Sequence, residues 1–574
     1  MKSYQNLQIQ KKRIKYLFIF MVIITVAICI RLFQLQVFEN KTYADAAKQQ
    51  QWSQYEIKPK RGTIYVKDMD GSLYPLATNE TLNNAFVDLA NSKDQDKTAE
   101  NLAKILNMNK GDILNLFSTA QSKRYIPIKK KISDEETKAI KSLNDPAVGL
   151  EPESWRVYPE NELASQVLGY VNGDDNGVGG IEEYFNSTLK GTPGLYKAES
   201  DSLGNKILTG RDVSVPAKDG QDIVLTINRD VQAMAENTLA NAIKKYGGKS
   251  GSIIVMDPKT GAIMAMANSP TFDPNKYNDV KDYSLFKNSA ISNLYEPGSI
   301  FKAITMAAGL DTGKIEPDTP FTDTGSVTLD GYTIKNALLK AYGKVNMTFV
   351  LEYSLNTGAS YVEKLLGKDL FYSYVKKFGF GLPTGIEAPQ GTEASGIINL
   401  PAESNDHTYA TMSFGQSIGV TPLQMITTYA AIANGGKMME PYLLEGKAVG
   451  GQDVGGGDEK PGKQAISQEA ATKLTQMLID TVDHGEGHLA KVPGYKVAGK
   501  TGTAQVPDPK GGYYANREIG SFIGFAPAEN PRFVVMAKID EPKNVDWAEL
   551  SAAPTVGEML QKLLNYYQIP PTEK

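Results

Sequence analysis

The sequence predicts a multidomain α/β chain. A membrane-spanning helix comes first, then a mixed α/β region, then a C-terminal domain with a sheet covered by helices on both sides. Three observations carry this. The 574 residues exceed what one hydrophobic core organises. A basic N-terminus runs into the uncharged apolar stretch Tyr16 to Ile30. Strand-like segments near residues 251–267 and 520–539 bracket a block of apolar helices. The composition, 41% hydrophobic and 22% charged, is that of a globular protein. A net charge of −4 gives no basic footprint for nucleic acid. The single cysteine, Cys29, lies inside the apolar run, which excludes a disulfide framework and a thiolate metal site. His407, His484 and His488 stand apart from acidic clusters, and Gly485 and Gly487 interrupt the latter pair. All three read as surface histidines, and no metal site is expected.

Taken in order, residues 1–15 hold Lys2, Lys11, Lys12, Arg13 and Lys15 and no acid. The 15 uncharged residues that follow span about 22 Å as a helix. Arg31 can snorkel, so Leu32 to Phe38 can lengthen the buried part towards a ~30 Å hydrocarbon core. Bulky residues leave no small-residue cleavage site before Phe38. The reading is an uncleaved anchor over 16–38, with a cytoplasmic tail at 1–15 and the remainder outside the membrane. Glu39 to Glu56 is polar and reads as a stalk. A strand starts at Arg61-Gly-Thr-Ile-Tyr65 and turns at Asp70-Gly71. Helical spacing runs through Thr98 to Leu116 and Ser133 to Leu143. Gly173 to Gly180 reads as a turn, since no Gly-Lys-Ser/Thr follows it.

From Gly220 the texture changes. Asp222 to Ile227 reads as a strand and Arg229 to Tyr246 as a helix. Gly251 to Asp257 and Gly261 to Ala267 are strands joined by the turn Pro258 to Gly261. Phe349 to Leu366 is expected as one helix carrying Ser354-Leu-Asn356, and Thr421 to Ile432 as another. Lys447 to Gly462, rich in glycine and charge, reads as a mobile excursion. Ser467 to Val482 is helical. Strands at Gly520 to Pro527 and Arg532 to Ile539 and a helix over Leu550 to Tyr566 close the chain.

The chemistry starts at Tyr295-Glu-Pro-Gly-Ser-Ile-Phe-Lys302. Pro297-Gly298 breaks the chain, and Ser299 opens a helix whose next turn carries Lys302, on the same face. Ala303 to Leu310 is apolar nearly all round, the pattern of a helix buried in a large core. Asp311-Thr-Gly313 ends it. A desolvated, neutral lysine there could take the serine proton and activate a nucleophile. Ser-x-x-Lys also occurs at Ser187, Ser284 and Ser373, where a solvated pair is the simpler reading. Only Ser299 has the break before it and the buried helix after it.

Ser299-x-x-Lys302, Ser354-x-Asn356 and Lys500-Thr-Gly502 follow in order, 55 and then 146 positions apart. This set resembles the penicillin-recognising serine transferases. Tyr295-Glu-Pro-Gly-Ser, Ser413-Phe-Gly-Gln, Thr421-Pro-Leu-Gln424, Ala433-Asn-Gly-Gly436 and Lys500-Thr-Gly-Thr-Ala504 are similar to those of class B penicillin-binding proteins, with more of the division than of the elongation type. The resemblance implies an elongated α/β stalk and pedestal over 39–225. Over 226–574 it implies a β-lactamase-like transpeptidase domain, an antiparallel sheet flanked by helices. Two features depart from the pattern. Val66 to Gly71 is longer than the family's pedestal turn, and Glu352-Tyr-Ser-Leu-Asn356 matches a class A β-lactamase deacylation motif by coincidence.

The resemblance further implies peptidoglycan D,D-transpeptidation through a serine acyl-enzyme, with no cofactor. Ser299 would attack the stem peptide and Lys302 would act as base, its pKa lowered by burial and the helix end. Ser354 would relay a proton, Asn356 would hold Lys302 and the substrate amide, and Lys500 would supply positive charge. Thr501 and Thr503, with Gly502 between them, would bind the substrate carboxylate. The Ser299 and Thr503 amides would form the oxyanion hole. β-Lactams would act as inhibitors. A membrane glycosyltransferase and other wall-synthesis proteins would be partners, since no glycosyltransferase domain is found in the chain. The alternatives are a membrane-anchored D,D-carboxypeptidase or β-lactamase, or a non-catalytic β-lactam sensor. A hydrolase needs a water-activating group, and none is found beside the expected ester.

Overall fold

The computed structural model describes residues 2–43, 52–199, 212–456, 462–545, 547 and 549–573. Residues 44–51 of the expected stalk and 457–461 of the expected excursion lie outside these. The chain divides into two compact units, residues 1–60 with 191–219, and residues 61–190 with 220–574.

In the first unit, helix Lys2–Phe33 passes into a wider turn at Gln34–Phe38. The span Lys11–Phe38 covers 28 residues, none of them buried against protein. At 1.5 Å per residue it is about 42 Å long, enough to cross a ~30 Å hydrocarbon layer. The same unit holds a three-stranded antiparallel sheet, in which Gly194–Glu199 pairs with both Trp52–Ile57 and Asp212–Val215.

The second unit contains a seven-stranded mixed sheet. Ile64–Lys67 turns at Asp70-Gly71 into the long strand Leu73–Val87. Asp222–Asn228 runs parallel to Ile64–Lys67 on its other side, so this strand passes through the expected boundary at residue 225. Next to it, Leu444–Val449 and Gln452–Gly456 form a hairpin over part of the expected excursion. Gly450 and Gly451, at φ 61° and 77°, supply the two positive angles of a tight hairpin turn. The glycine content that suggested mobility is therefore turn chemistry.

Against Leu73–Val87 lie strands Ile126–Ile132 and Val148–Val157. The helical pattern over Thr98 to Leu116 resolves into two helices, Gln95–Leu106 and Lys110–Thr119. Asn107 takes the left-handed conformation that ends the first, and the Asn109 side chain caps the second; asparagine tolerates both positions. Ser133 and Glu136 close a capping box on helix Asp134–Ser142. Leu102, Leu106, Ile113, Phe117, Ile126 and Ile140 bury one core between these helices and the strands.

The remaining sheet is five-stranded and antiparallel. Its order is Ile263–Ser269, Ser250–Met256, Phe533–Asp540, Tyr513–Ala526 and Ala498–Pro507. Period-two alternation divides its side chains between two cores. Ile253, Val255, Val535 and Ala537 face helices Arg229–Tyr246 and Glu549–Tyr566. Ile254, Met256, Val534 and Met536 join the larger core of helices Lys302–Asp311 and Pro422–Ala433. This is the expected β-lactamase-like layering, and it buries the helix behind Ser299 from Lys302 to Leu310.

A buried ionic cluster ties the start of the pedestal together. Glu182, fully buried, accepts from Arg61 Nε at 2.8 Å, from Arg156 Nε at 2.6 Å and from the Tyr158 hydroxyl at 3.2 Å. Arg61 also donates to Asn186 Oδ1, and Arg156 to the Gly62 carbonyl. Removing the charge of Glu182 leaves two guanidiniums buried without compensation, a loss of about 3–5 kcal/mol. Glu182→Gln should therefore lower the melting temperature by several degrees in a thermal unfolding scan. An unchanged melting curve would refute this account of the cluster.

Candidate active site

The nucleophile turn is tighter than expected. Gly298–Phe301 is a 3₁₀ turn, and the α-helix proper begins at Lys302. A 3₁₀ turn has three residues per turn and eclipses side chains three apart. Ser299 and Lys302 are therefore stacked, with Lys302 Nζ 2.9 Å from Ser299 Oγ. Gly298 has φ 58°, and a Cβ there would lie 2.6 Å from the Thr503 carbonyl oxygen. Only glycine lets this turn press against the strand carrying Thr503.

The expected single helix over Phe349 to Leu366 is two helices, Met347–Glu352 and Asn356–Leu366. Between them Ser354 adopts φ 54°, a left-handed conformation that costs a non-glycine residue roughly 1–2 kcal/mol. The Ser354 and Leu355 amides donate back to the carbonyls of Leu351 and Val350, which holds the strained turn. The break turns both oxygens of Ser354 towards Lys302. Lys302 Nζ lies 2.5 Å from the Ser354 carbonyl oxygen and 3.0 Å from its Oγ.

Strand Ala498–Pro507 supplies the opposite wall. Lys500 Nζ donates to the same Ser354 Oγ at 3.0 Å and to Thr501 Oγ1 at 3.0 Å. Both lysine side chains are fully buried. Burial, and then the charge of Lys500, holds the Lys302 amine well below the ordinary lysine range, while Glu486 pulls the other way. Burial and a second cation both disfavour its charged form. The direction and its largest cause, burial, are the expected ones, and the charge of Lys500 is the second cause where the helix end was expected.

Ser299 and Ser354 line a cleft of about 670 Å³ together with Asn356, Thr501 and Thr503. Gly502 lies between the threonines on the strand, where a Cβ would meet the Ser521 hydroxyl at 2.7 Å. The Thr503 hydroxyl is sheltered from solvent and has no protein partner. Asn356 lies on the cleft wall, but its Nδ2 donates to the Lys335 carbonyl at 2.8 Å. The hydrogen bonds of Lys302 go to Ser299 and Ser354, so the expected clasp of Lys302 by Asn356 is absent here.

Several cleft residues escaped the sequence reading. His407, expected on the surface, is half-buried, lines the cleft and stacks on Tyr332 at 4.7 Å between ring centroids. Glu486 places a carboxylate in the cleft, contrary to the expectation of none, with Oε2 3.7 Å from Lys500 Nζ. Segment 333–339 forms another wall. It is held by buried Asp323, which accepts from Thr357 Oγ1 at 2.7 Å, Asn336 Nδ2 at 3.0 Å and the Tyr342 amide at 2.9 Å. These Asp323 and Glu486 contacts join residues 13 to 34 positions apart and carry no periodic signal. Among the described residues no His, Cys, Asp or Glu group has the arrangement of a metal site.

Comparison with known proteins agrees with this geometry. The model of the penicillin-binding protein transpeptidase domain matches residues 251–561, and that of the penicillin-binding protein dimerisation domain matches residues 56–225. Stage V sporulation protein D of Bacillus subtilis (strain 168) is 35% identical over 560 residues, 96% of this chain and 85% of that protein. The peptidoglycan D,D-transpeptidase FtsI homolog of Mesostigma viride is 29% identical, covering 94% of each chain. The crystal structure of penicillin-binding protein 3 of Mycobacterium tuberculosis complexed with aztreonam superposes with a TM-score of 0.69 at 25% identity, covering 90% of this chain and 99% of that one. With both domain models matched in order and the paired lysines meeting at Ser354, the chain belongs to the class B penicillin-binding protein transpeptidases.

Proposed function

We propose that this protein is a peptidoglycan D,D-transpeptidase that cross-links stem peptides at the division septum through an acyl-enzyme on Ser299. The observation that carries this reading is the chain of short contacts Ser299–Lys302–Ser354–Lys500. A neutral amine has two hydrogens and one lone pair. At Lys302 the hydrogens go to the Ser354 carbonyl and Oγ, which leaves the lone pair to accept from Ser299 Oγ–H.

The Ser299 proton passes to Lys302 as Oγ attacks the carbonyl of the penultimate D-alanine. The backbone amides of Ser299 and Thr503 receive the developing oxyanion, on the order of 3–4 kcal/mol per donor. The Lys302 proton then moves through Ser354 Oγ to the departing amine of the terminal D-alanine, leaving an ester on Ser299. An amine of a neighbouring stem attacks that ester and loses its proton to Lys302, which passes it to the departing Ser299 Oγ, leaving a new amide bond and a free serine. The unpartnered Thr503 hydroxyl, with Thr501 and Lys500, suits the substrate carboxylate, while Asn356 faces the substrate amide. β-Lactams would be trapped as the same ester.

The anchor and its positive flank support a single-pass protein with its N-terminus in the cytoplasm and the catalytic domain outside. A pedestal region that follows the anchor in the chain fits docking on a membrane glycosyltransferase and other wall-synthesis proteins. A second reading rests on the 35% identity to a stage V sporulation protein, namely the same chemistry used in the wall made during sporulation. A deletion that arrests septation supports the first reading, and one that spares septa but blocks spores supports the second.

Intact-mass spectrometry after exposure to a penicillin should show one stable adduct that is absent from Ser299→Ala. An adduct cleared within seconds would indicate a hydrolase, and no adduct would refute the nucleophile assignment. Lys302→Met should slow acylation by about 10²–10⁴-fold. Because folding depresses the pKa of Lys302, the unfolded chain binds its proton more tightly. Burying the neutral amine therefore opposes folding at neutral pH, and this penalty disappears as pH rises towards the ordinary lysine value. Wild type should gain stability relative to Lys302→Met as pH increases, read from paired melting curves. A pH-independent difference would contradict a lysine buried neutral.

A further inference from the structure

Two fully buried lysines share one hydroxyl, since Lys302 Nζ and Lys500 Nζ each lie 3.0 Å from Ser354 Oγ. A single proton on such a pair has two placements of equal total charge, related by transfer through Ser354. Only a neutral Lys302 can take the Ser299 proton, and only a charged Lys500 offers a cation to a carboxylate. Serine and lysine by themselves do not choose between these placements. A third group must make the pair unequal.

Glu486 has the geometry to do so. Its Oε2 is 3.7 Å from Lys500 Nζ and 3.4 Å from Thr501 Oγ1, which donates to it. Thr501 Oγ1 in turn accepts from Lys500. Among the described residues Lys302 forms no ion pair. Glu486 belongs to the turn after helix Gln468–Asp483, and its amide donates to the Glu352 carbonyl at 3.0 Å. Glu352 ends the helix that leads into the strained Ser354 turn. One backbone contact therefore sets the carboxylate relative to the hydroxyl that joins the two lysines. The side chain of Glu486 is about one-third exposed to the cleft.

We propose that Glu486 is a positioning residue that holds the shared proton on Lys500 and so keeps Lys302 available as the base. This rests on the acyl-enzyme reading above. Among the described residues, the following charged and titratable groups face the pair. Lys302 and Glu486 act on Lys500, while Lys500 and the Tyr342 phenol face Glu486. Lys335, His407, Tyr513 and Glu518 lie on the cleft walls. A carboxylate at this distance from one lysine favours the charged form of that lysine over its neighbour. Removing it makes every protonated form of the pair less stable and lets the proton sit on either lysine.

The test is the rate of Ser299 acylation by a fluorescent penicillin as a function of pH, using the full chain in detergent. Wild type, Glu486→Gln and Glu486→Asp are compared, with melting curves as the control for folding. In Glu486→Gln the optimum should move down by about one pH unit and the maximum rate should fall by up to about tenfold. Glu486→Asp, which keeps the charge, should restore the optimum towards that of wild type. A fall in rate with an unmoved optimum would mean a purely structural role and overturn the proposal, as would no change at all. If Glu486→Gln does not fold, an optimum in Glu486→Asp that tracks wild type supports the proposal, and one displaced as far as about one pH unit overturns it. Failure of wild type to label at any pH would overturn the acyl-enzyme reading and this inference with it.

Discussion

The active site depends on one physical constraint, that two lysine side chains are buried within reach of a single serine hydroxyl. A buried ammonium is expensive and two together are more so, so the pair holds its charge unequally. In the proposed acyl-enzyme mechanism, that inequality would leave Lys302 free to act as the base. Every neighbouring feature serves it. Helix Lys302–Asp311 is buried from Lys302 to Leu310, which removes water from the amine. The left-handed turn at Ser354 brings a carbonyl and a hydroxyl to the same nitrogen. The strand carrying Lys500 is held in register by nine paired positions with its neighbour.

The sheet is the ruler for this arrangement. Lys500 and Thr503 lie on an edge strand of five, so their spacing follows from strand geometry and not from loop conformation. Gly298 lets the nucleophile turn touch that edge, and the helix behind it is locked into the larger core. The opposite face of the sheet is closed by helices Arg229–Tyr246 and Glu549–Tyr566, the second formed by residues near the C-terminus. The strain at Ser354 is offset by packing on both sides of the break, as strained residues at functional sites generally require.

The parts of the fold legible in the sequence were those with a strong period or a strong stop. Arg229–Tyr246, the paired strands around Pro258 and the closing helix all appear where alternation or helical spacing placed them. The failures have local physical causes. At Phe349 to Leu366 the apolar spacing continues across the break, and nothing in Tyr353-Ser-Leu355 marks a left-handed serine. At Lys447 to Gly456 the glycines that lower regularity are those a hairpin turn uses. His407 was read as a surface histidine because it stands apart from any acidic cluster, although the fold turns it towards the cleft. Glu486 sits between two glycines in a stretch with no pattern.

The sequence by itself determined the apolar N-terminal helix, the order of elements and the identity of the proposed catalytic groups. These follow from local spacing, from charge and from motifs that resemble a known family. Only the tertiary structure decided how those groups are protonated. The state of Lys302 depends on the water removed by the surrounding core, on Lys500 almost 200 positions later and on the carboxylate of Glu486. Desolvation and Coulomb interaction act through space. Chain order does not encode them until the fold brings the residues together.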